Sequence, residues 1–564
     1  MRNYKWELLN NTKSKNFKID ELADFLLENR GLKTKKEKEE FLNPKNPQSI
    51  EIGELGISDK EVSIAVKRII KAIAEDEDIL IYGDYDADGI CSSAILWECL
   101  YRYTKKVIPY IPDRFSEGYG INVDTVTSLK NNNPKLGLII TVNNNPKLGL
   151  IITVDNGIVA HNAVDAAKKL GIDVIIIDHH LEDEKLPKAV SIIHSTLTSG
   201  AGLAWFFAKE LNKKLGKSAA SSLELAAIGV VADQLPLVGI NRSLVKFGIE
   251  ELQNTKRPGL LALFQTAAFD KEKIGTYEIG YLIAPRINAM GRLSHGIDSL
   301  RLICTNNSTK ANELAGLLND TNIERQKVVD EVVTHAIKIQ DDSKSKNKII
   351  ILAHESYHEG VIGLAASKLV ERFYLPSIVI SKGEVESKGS ARSISGVNII
   401  ELIRGADELL IGGGGHTMAA GFSLKTENLE IFTNKLYELA KTHVDDNLLE
   451  KKLKIDTELK FENISAELLD ILQAFEPFGM GNPTPVFSSS GCEVVEIKLI
   501  GADSRHIKLK LKNDGKVIDA IGFGMGELYE SILSSKKMQI AYSVEKDTWN
   551  GYEKIQLKLK DVKY

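Results

Sequence analysis

An apolar run, Ile79-Leu80-Ile81, leads into Tyr82-Gly83-Asp84-Tyr85-Asp86-Ala87-Asp88-Gly89, and apolar sequence resumes at Ile90-Cys91-Ser92-Ser93-Ala94-Ile95-Leu96. This reads as a buried strand, a tight acidic turn and the start of a buried helix. Strand-to-helix turns at the carboxyl ends of open α/β sheets are where such folds place ligands. Asp84, Asp86 and Asp88 repel one another, and holding them together costs free energy that a cation offsets; hard divalent metals prefer such oxygen ligands. A solvated acidic turn with Asp88 as helix N-cap is the plainer reading. An EF-hand is disfavoured, because no Glu follows at the twelfth loop position. The remaining ligands must come from elsewhere in the chain.

From Ser63 to about Leu244, strand-like runs at 79–82, 107–111, 149–154, 173–177 and 191–194 alternate with helical patterns. That rhythm predicts a mainly parallel sheet covered by helices on both faces. Residues 131–142 (NNNPKLGLIITV) recur unchanged as residues 143–154. Two copies are too few for a solenoid, so a duplication or a sequence error is the better account. Asn143 follows the first copy, whereas Asp155-Asn156-Gly157 follows the second. Only the second ends in a carboxylate, and it joins directly to the next helix, so it is expected to hold the sheet position. The first copy is then an extruded loop, a kind of insertion that costs little. The following strand ends in Asp178-His179-His180. Adjacent histidines project differently from a strand end, so one can ligate a metal while the other meets a substrate or orients its neighbour. Asp233 closes the small-residue apolar stretch Ala226–Ala232; on its own it reads as a cap, and beside the other acidic strand ends as a ligand.

Residues 245–345 read as helical and end in a long polar helix at about 308–340. They include Arg286 and Arg292, flanking Asn288 and Gly291, a pattern that suits either phosphate contact or plain surface. A second α/β unit spans about 347–445, with a strand at 348–353, the stretch Gly389-Ser390-Ala391-Arg392-Ser393 and the run Gly412-Gly413-Gly414-Gly415-His416. Gly and Ser beside Arg let backbone N–H groups and a guanidinium approach an anion together. Four glycines in succession read as backbone held against a ligand or neighbour, or as a flexible loop. In the last segment, about 450–564, His506-Ile507-Lys508-Leu509-Lys510-Leu511-Lys512 alternates apolar and basic residues, and Lys554–Lys560 repeats the arrangement. Period-two patterning puts each Lys row on one sheet face. With Trp549 and Tyr552 nearby, the rows suggest a charge-and-stacking platform for single-stranded nucleic acid, or a solvated face with protective Lys.

At 564 residues the chain is long enough for about four domains. The net charge of −5 confines any nucleic-acid surface to local patches. Cys91, Cys99, Cys304 and Cys492 form no CxxC pair, which argues against structural zinc and for a reducing compartment. The polar start and the lack of an apolar run near 20 residues predict neither a secretory signal nor a membrane span, leaving the cytoplasm as the default.

Taken in order, GDYDADG, VDNG, DHH and VAD resemble the DHH phosphoesterase superfamily, and the GSARS and Gly-Gly-His elements resemble its DHHA1 companion domain. IPDRFSEGYG, PRINAMGRL and EPFGMGNPTPVF are similar to its branch of single-strand-specific exonucleases, and the resemblance covers nearly the whole chain. It implies two α/β lobes (DHH and DHHA1) joined by a long helix, plus a C-terminal OB-like β-barrel. The expected limits are 1–60 for an N-terminal helical preface, 61–245 for DHH, 246–345 for a helical connector, 346–445 for DHHA1 and 450–564 for the OB-like domain. It also implies hydrolysis of single-stranded DNA 5′→3′ to 5′-mononucleotides in recombination and repair. Asp86, Asp88, Asp155, His179 and Asp233 are then expected to hold two Mn2+ or Mg2+ ions, with Asp84 beside them and His180 facing the scissile phosphate. Arg114, Ser390 and Arg392 are expected at the 5′-terminal phosphate, Arg286 and His416 at the backbone, and Lys508, Lys510, Lys512, Lys558 and Lys560 on the nucleic-acid face. A monomer is implied, with single-strand-binding protein and a helicase as partners and no membrane. At Tyr82 the chain departs from the pattern, which in many relatives has a His that reaches a metal. The alternatives are a relative acting on short oligonucleotides or cyclic dinucleotides, and a DNA-binding protein whose catalysis the repeat has impaired.

Overall fold

The computed structural model describes residues 4–9, 19–131, 148–216, 222–342, 347–547 and 553–564. It divides into two compact units. One comprises Arg30–Asn322 with Leu472–Thr484; the other comprises Met1–Asn29, Ile323–Ile471 and Pro485–Tyr564. In the second unit, strand β1 (Lys5–Leu8) pairs in parallel with Lys452–Ile455, so the N-terminal segment, expected to be helical, also supplies a strand.

The first unit is built on a parallel sheet of β2 (Asp78–Tyr82), β3 (Val107–Tyr110), β4 (Leu148–Val154), β5 (Asp173–Asp178) and β6 (Ser191–His194), in the order β3-β2-β4-β5-β6. The predicted strands fall within a residue or two of these limits. Ile79, Leu80 and Ile81 are buried, as are Ile151, Ile152 and Val154. A side chain of this size contributes about 1.5–3 kcal/mol on full burial, which is why near-continuous apolar runs mark the central strands of a doubly covered sheet. The chain runs from β2 outward to β3 and returns to the far side of β2 as β4. The switch point therefore lies between the carboxyl ends of β2 and β4. The second copy of the repeat supplies β4, as its junction with Asp155 required; the loop expected of the first copy lies outside the described residues.

A helix at Ser308–Asp342 runs from this unit into the second. There, β7 (Ile350–His354), β8 (Ser377–Ser381), β9 (Glu386–Arg392), β10 (Leu410–His416) and β11 (Ala419–Lys425) form a mixed sheet in the order β10-β11-β9-β8-β7. The glycine run is neither a loop nor free: it is edge strand β10, paired with β11. After β12 (Lys452–Ile455) and β13 (Thr457–Glu458), the strands β14 (Phe487–Ile500), β15 (His506–Asn513), β16 (Lys516–Gly522), β17 (Met538–Asp547) and β18 (Lys554–Lys563) follow. Their order β14-β15-β16-β18-β17 closes through a β14–β17 pairing into a five-stranded barrel, the architecture of an OB-fold.

Candidate metal centre

The acidic turn follows β2. Asp86 is the N-cap of the helix Ala87–Tyr101, accepting hydrogen bonds from the backbone N–H of Asp88 (2.9 Å) and Gly89 (3.0 Å). The solvated-turn alternative had Asp88 as the cap, but that side chain reaches across to another helix. Its Oδ2 accepts from Gly200 N–H (2.7 Å) and its Oδ1 from Ala201 N–H (3.0 Å), at the start of the helix Gly200–Lys214. Glycines permit this crowding. A Cβ at Gly229 would collide with Asp88 Oδ1, and one at Gly200 would stand 2.7 Å from the Asp155 side chain.

Asp155 follows β4 in the left-handed region (φ 63°), and His179 and His180 follow β5. Asp233 is the C-cap of the helix Leu223–Ala232. Three groups emerge whose ligand atoms lie within 4.8 Å of one another: Asp84, Asp86 and Asp155; Asp88, His179 and Asp233; and Asp155, His179 and His180. The seven residues singled out for metal binding and catalysis thus share one site at the switch point. His179 Nε2 lies 3.0 Å from Asp155 Oδ1, though without hydrogen-bond alignment, and 3.7 Å from Asp233 Oδ2.

The electrostatics are those of anions short of a counter-charge. Burial, then the neighbouring Asp86, holds the Asp84 carboxyl well above the usual range. Burial and Asp88 also raise Asp86, and hold Asp155 well above that range. Asp233, at the negative end of its helix, is pushed up to about 8 by burial and by Asp88 and Asp86. Asp84 Oδ1 and Asp155 Oδ1 are buried without a hydrogen-bond partner among the described residues, a costly condition for a carboxylate. Burial keeps His179 neutral, as a ligand must be. Orphaned carboxylate oxygens with one imidazole fit Mn2+ or Mg2+ and do not suit a thiolate-seeking metal.

His180 differs from its neighbour. Its Nδ1 meets Asp178 Oδ1 at 2.7 Å, and its Nε2 lies 3.1 Å from the Tyr119 hydroxyl. Burial disfavours its charge, but the Asp178 hydrogen bond and the charges of Asp178, Asp233 and Asp84 outweigh that and lift it to about 9. Arg114 lies over the Tyr85 ring, 5.3 Å from its centroid. Arg286 is half-turned inward, with Nε 3.2 Å from Asn319 Oδ1 and an NH1 donating to Leu282 O at 2.8 Å. Tyr82 is buried, stacks on Tyr110 (5.2 Å) and donates to Gly120 O (3.1 Å), so its ring serves the core and joins none of the three ligand groups.

In the second unit, Arg392 donates to Ser390 Oγ (3.2 Å), and the first turn of the helix Ile362–Phe373 is packed so closely that a Cβ on Gly363 would sit 2.9 Å from that hydroxyl. His416, Ala419 and Arg392 are paired across β10, β11 and β9, so His416 and Arg392 share a sheet face. Ser390, Gly421 and Gly414 form the next row on that face, where the glycines leave the floor bare. On the barrel, Lys508, Lys510 and Lys512 are exposed and alternate with buried Ile507, Leu509 and Leu511. Lys558 joins Lys508 through Ile521 of β16, and Lys560 lies two residues along the same strand. The face is less basic than expected: Lys510 pairs with Glu496 (2.9 Å) and Lys558 with Glu545 (3.7 Å) from flanking strands. The edge-protection reading does not apply, since β15 and β18 each have partners on both sides. Trp549 and Tyr552 lie outside the described residues; the aromatic that is seen is exposed Phe523, 5.4 Å from the His506 ring and 5.4 Å from Lys558 Nζ.

Family models match in the same sequence: the DHH family N-terminal domain at residues 78–230, the DHHA1 domain at 346–442 and the RecJ OB domain at 455–561. The single-stranded-DNA-specific exonuclease RecJ of Bacillus subtilis (strain 168) is 34% identical over 96% of this chain and 68% of its own length. The chain belongs to the RecJ family. RecJ of Escherichia coli (strain K12) is 29% identical over 88% of the chain and 89% of its own length. The crystal structure of RecJ in complex with Mn2+ from Thermus thermophilus superposes with a TM-score of 0.80 at 26% identity, covering 96% of this chain and 76% of that one. A Mg2+ complex of the same RecJ gives 0.73 at 25% identity.

Several residues of this RecJ-family site escaped sequence reading. Asn288 Oδ1 accepts from Ala87 N–H (2.6 Å), and a Cβ on Gly291 would stand 2.5 Å from Tyr85 O. The helix Ala284–Leu293 thereby braces the acidic turn. Asn288 and Gly291 stand between the two arginines of the PRINAMGRL motif, and no local pattern marks their contact with a turn some 200 positions away. Asp178 and Tyr119 were likewise present in DHH and EGYG without an assigned task.

Proposed function

We propose that this RecJ-family chain is a metal-dependent exonuclease that removes 5′-mononucleotides from single-stranded DNA in the 5′→3′ direction. The observation that carries the reading is the convergence of Asp84, Asp86 and Asp155 with Asp88, His179 and Asp233 on one sheet edge, with two carboxylate oxygens left unsatisfied. Asp84, Asp86 and Asp155, with Asp88, His179 and Asp233, would hold two divalent ions, which would activate water at neutral pH and offset the charge that develops on the phosphate oxygens. The chain's own residues do the rest. Asp178 fixes the His180 ring and sustains its positive charge toward the scissile phosphate. Arg114 in one unit, and Ser390 and Arg392 in the other, offer charge-assisted hydrogen bonds to phosphate; capture of the 5′-terminal phosphate sets polarity by fixing which bond reaches the metals. Arg286 and His416 contact the backbone. Lys508, Lys510, Lys512, Lys558 and Lys560 track the strand on the barrel. The RecJ OB domain matched at residues 455–561 favours this reading over a relative acting on short oligonucleotides or cyclic dinucleotides.

The protein acts as a monomer in the cytoplasm, with single-strand-binding protein and a helicase as partners; among the described residues no helix is long and apolar enough to cross a membrane. The test is a Mn2+-supported assay on 5′-phosphorylated single strands, duplexes and dinucleotides. Single strands labelled at the 3′ end should shorten progressively from the 5′ end. Preferential cleavage of dinucleotides, or retention of the rate in Asp86→Ala, overturns the reading.

A further inference from the structure

Asp233 is the one member of the metal groups that caps the C-terminal end of a helix. That helix ends in a Schellman arrangement, with Gln234 N–H donating to Val231 O (3.2 Å) and Leu235 N–H to Val230 O (3.2 Å). That ending needs a left-handed residue just after the cap. Here it is Gln234 at φ 57°, where glycine is usual. Such a conformation persists only where surrounding structure over-determines it. Asp233 is also the most exposed of the carboxylates in the groups: its side chain is 34% exposed against 2% for Asp88 and 3% for Asp155. Something beyond its own helix must therefore set its position.

The residues that follow Asp233 rest on a segment some 240 positions away. Leu237 N–H donates to Met480 O at 2.7 Å. A Cβ on Gly479 would stand 2.7 Å from Leu237 Cδ1, and one on Gly481, at φ +72°, would stand 2.9 Å from Pro236 Cβ. The segment is itself held on all sides. Arg242, with no exposed surface, donates to the carbonyls of Phe475 (3.0 Å), Glu476 (2.8 Å) and Phe41 (2.6 Å). Buried Asn482 donates to Phe475 O (2.7 Å) and Pro477 O (2.9 Å) and accepts from Arg30 (2.7 Å). Thr276 donates to Phe478 O at 2.6 Å. An Arg that directs its whole fork at main-chain carbonyls, with no carboxylate partner among the described residues, fixes backbone rather than charge. Residues Leu472–Thr484 belong to the catalytic unit although the chain on either side belongs to the other.

We infer that the Phe475–Asn482 segment is a positioning clamp for Asp233, setting the affinity of the metal position that Asp233 shares with Asp88 and His179. The inference rests on reading Asp233 as a metal ligand. It assigns a task to the EPFGMGNP motif, which the catalytic reading leaves without one.

The experiment is a Mn2+ titration of the metal-free full-length protein by calorimetry, with the thermal midpoint of each metal-free variant recorded beside it. Gly481→Ala adds a methyl group against Pro236 and should weaken one Mn2+ site about tenfold, the scale of lost outer-shell support. The site held by Asp84, Asp86 and Asp155 should keep its affinity. Asp233→Asn gives the reference for selective loss at one site. Thr276→Val frees Phe478 O while conserving volume and should shift the same site in the same direction, so the inference stays testable if Gly481→Ala does not fold. Unchanged affinities in the folded variants, or equal losses at both sites, overturn the clamp. Absence of Mn2+ binding by the unaltered protein would instead overturn the metal site itself.

Discussion

Asp178 Oδ1 lies 2.7 Å from Nδ1 of His180 and also accepts the backbone N–H groups of His179 (2.7 Å) and His180 (3.2 Å). One buried carboxylate thus fixes the turn that presents both histidines and the ring orientation of one of them. Asp178→Asn should lower kcat by about 10²–10⁴, the range for loss of a positioned acid–base group or its orienting partner. Mn2+ affinity should change far less. Single-turnover kinetics with a parallel Mn2+ titration checks this; equal losses in both would show that Asp178 acts on the metals instead.

Asp155→Ala should abolish activity and weaken Mn2+ binding, because Asp155 belongs to two of the three ligand groups. Deletion of residues 131–142 should do neither. The cut leaves Asn143 where Asn131 stood, so the helix Val123–Asn131 ends on the same residue type and β4 keeps its sequence. Exonuclease rates of the two variants decide the matter.

Chelation should make stability fall with pH. Asp233 is raised to about 8 and His180 to about 9. A raised carboxyl contributes stability at low pH that is lost as pH rises through its folded value, and a raised His loses its contribution in the same direction. Between pH 6.5 and 8 both slopes therefore point down, and from 8 to 9 that of His180 continues. The thermal midpoint in chelator should drop by about 5 °C over that window, the scale of ~2 kcal/mol in a domain of this size. Saturating Mn2+ should flatten the profile. A flat profile in chelator would refute the strained-anion picture.

The barrel lysines should not be equivalent. Lys510 is paired with Glu496, whose carboxyl is drawn down to about 2 by hydrogen bonds and charge from Lys498 and Lys510. Lys508 makes no ion pair among the described residues. Lys508→Ala should reduce the salt slope of single-strand binding by about 0.7, the value for one phosphate contact. Lys510→Ala should reduce it less and leave Glu496 paired with Lys498. Equal slopes for both variants would place the strand elsewhere on the barrel.

How far the sequence speaks for itself depends on whether a signal is local. Leu148–Val154 and Asp173–Asp178 announce themselves because both faces of their sheet are buried, and a parallel sheet puts its ligands at the carboxyl ends. Asp155 and His179 follow from that rule alone. Asp233 needed the family pattern, since a helix C-cap carries no such rule. The glycines at 412–415 were misleading for a physical reason: glycine weakens strands in general, but here the Phe422 ring lies over Gly389 and faces Gly413. Asn288, Gly229 and Gly200 matter only through residues more than a hundred positions away or on another element, and no local pattern encodes them.

The repeat makes this chain degenerate in a way few folded proteins are. Two identical strands compete for one slot beside β2 and β5, and every core contact of β4 is the same with either. Burial of the strand therefore cannot select the register; only the residues just past it, Asp155 to Ile158, can. A chain that docks residues 136–142 would be compact and soluble yet carry Asn143 in place of Asp155. Ion binding favours the Asp155 register by mass action, so the metal present during folding acts as the proofreader of its own site. Preparations refolded with and without Mn2+ should then differ in the fraction of molecules that bind metal, while their core stability stays the same.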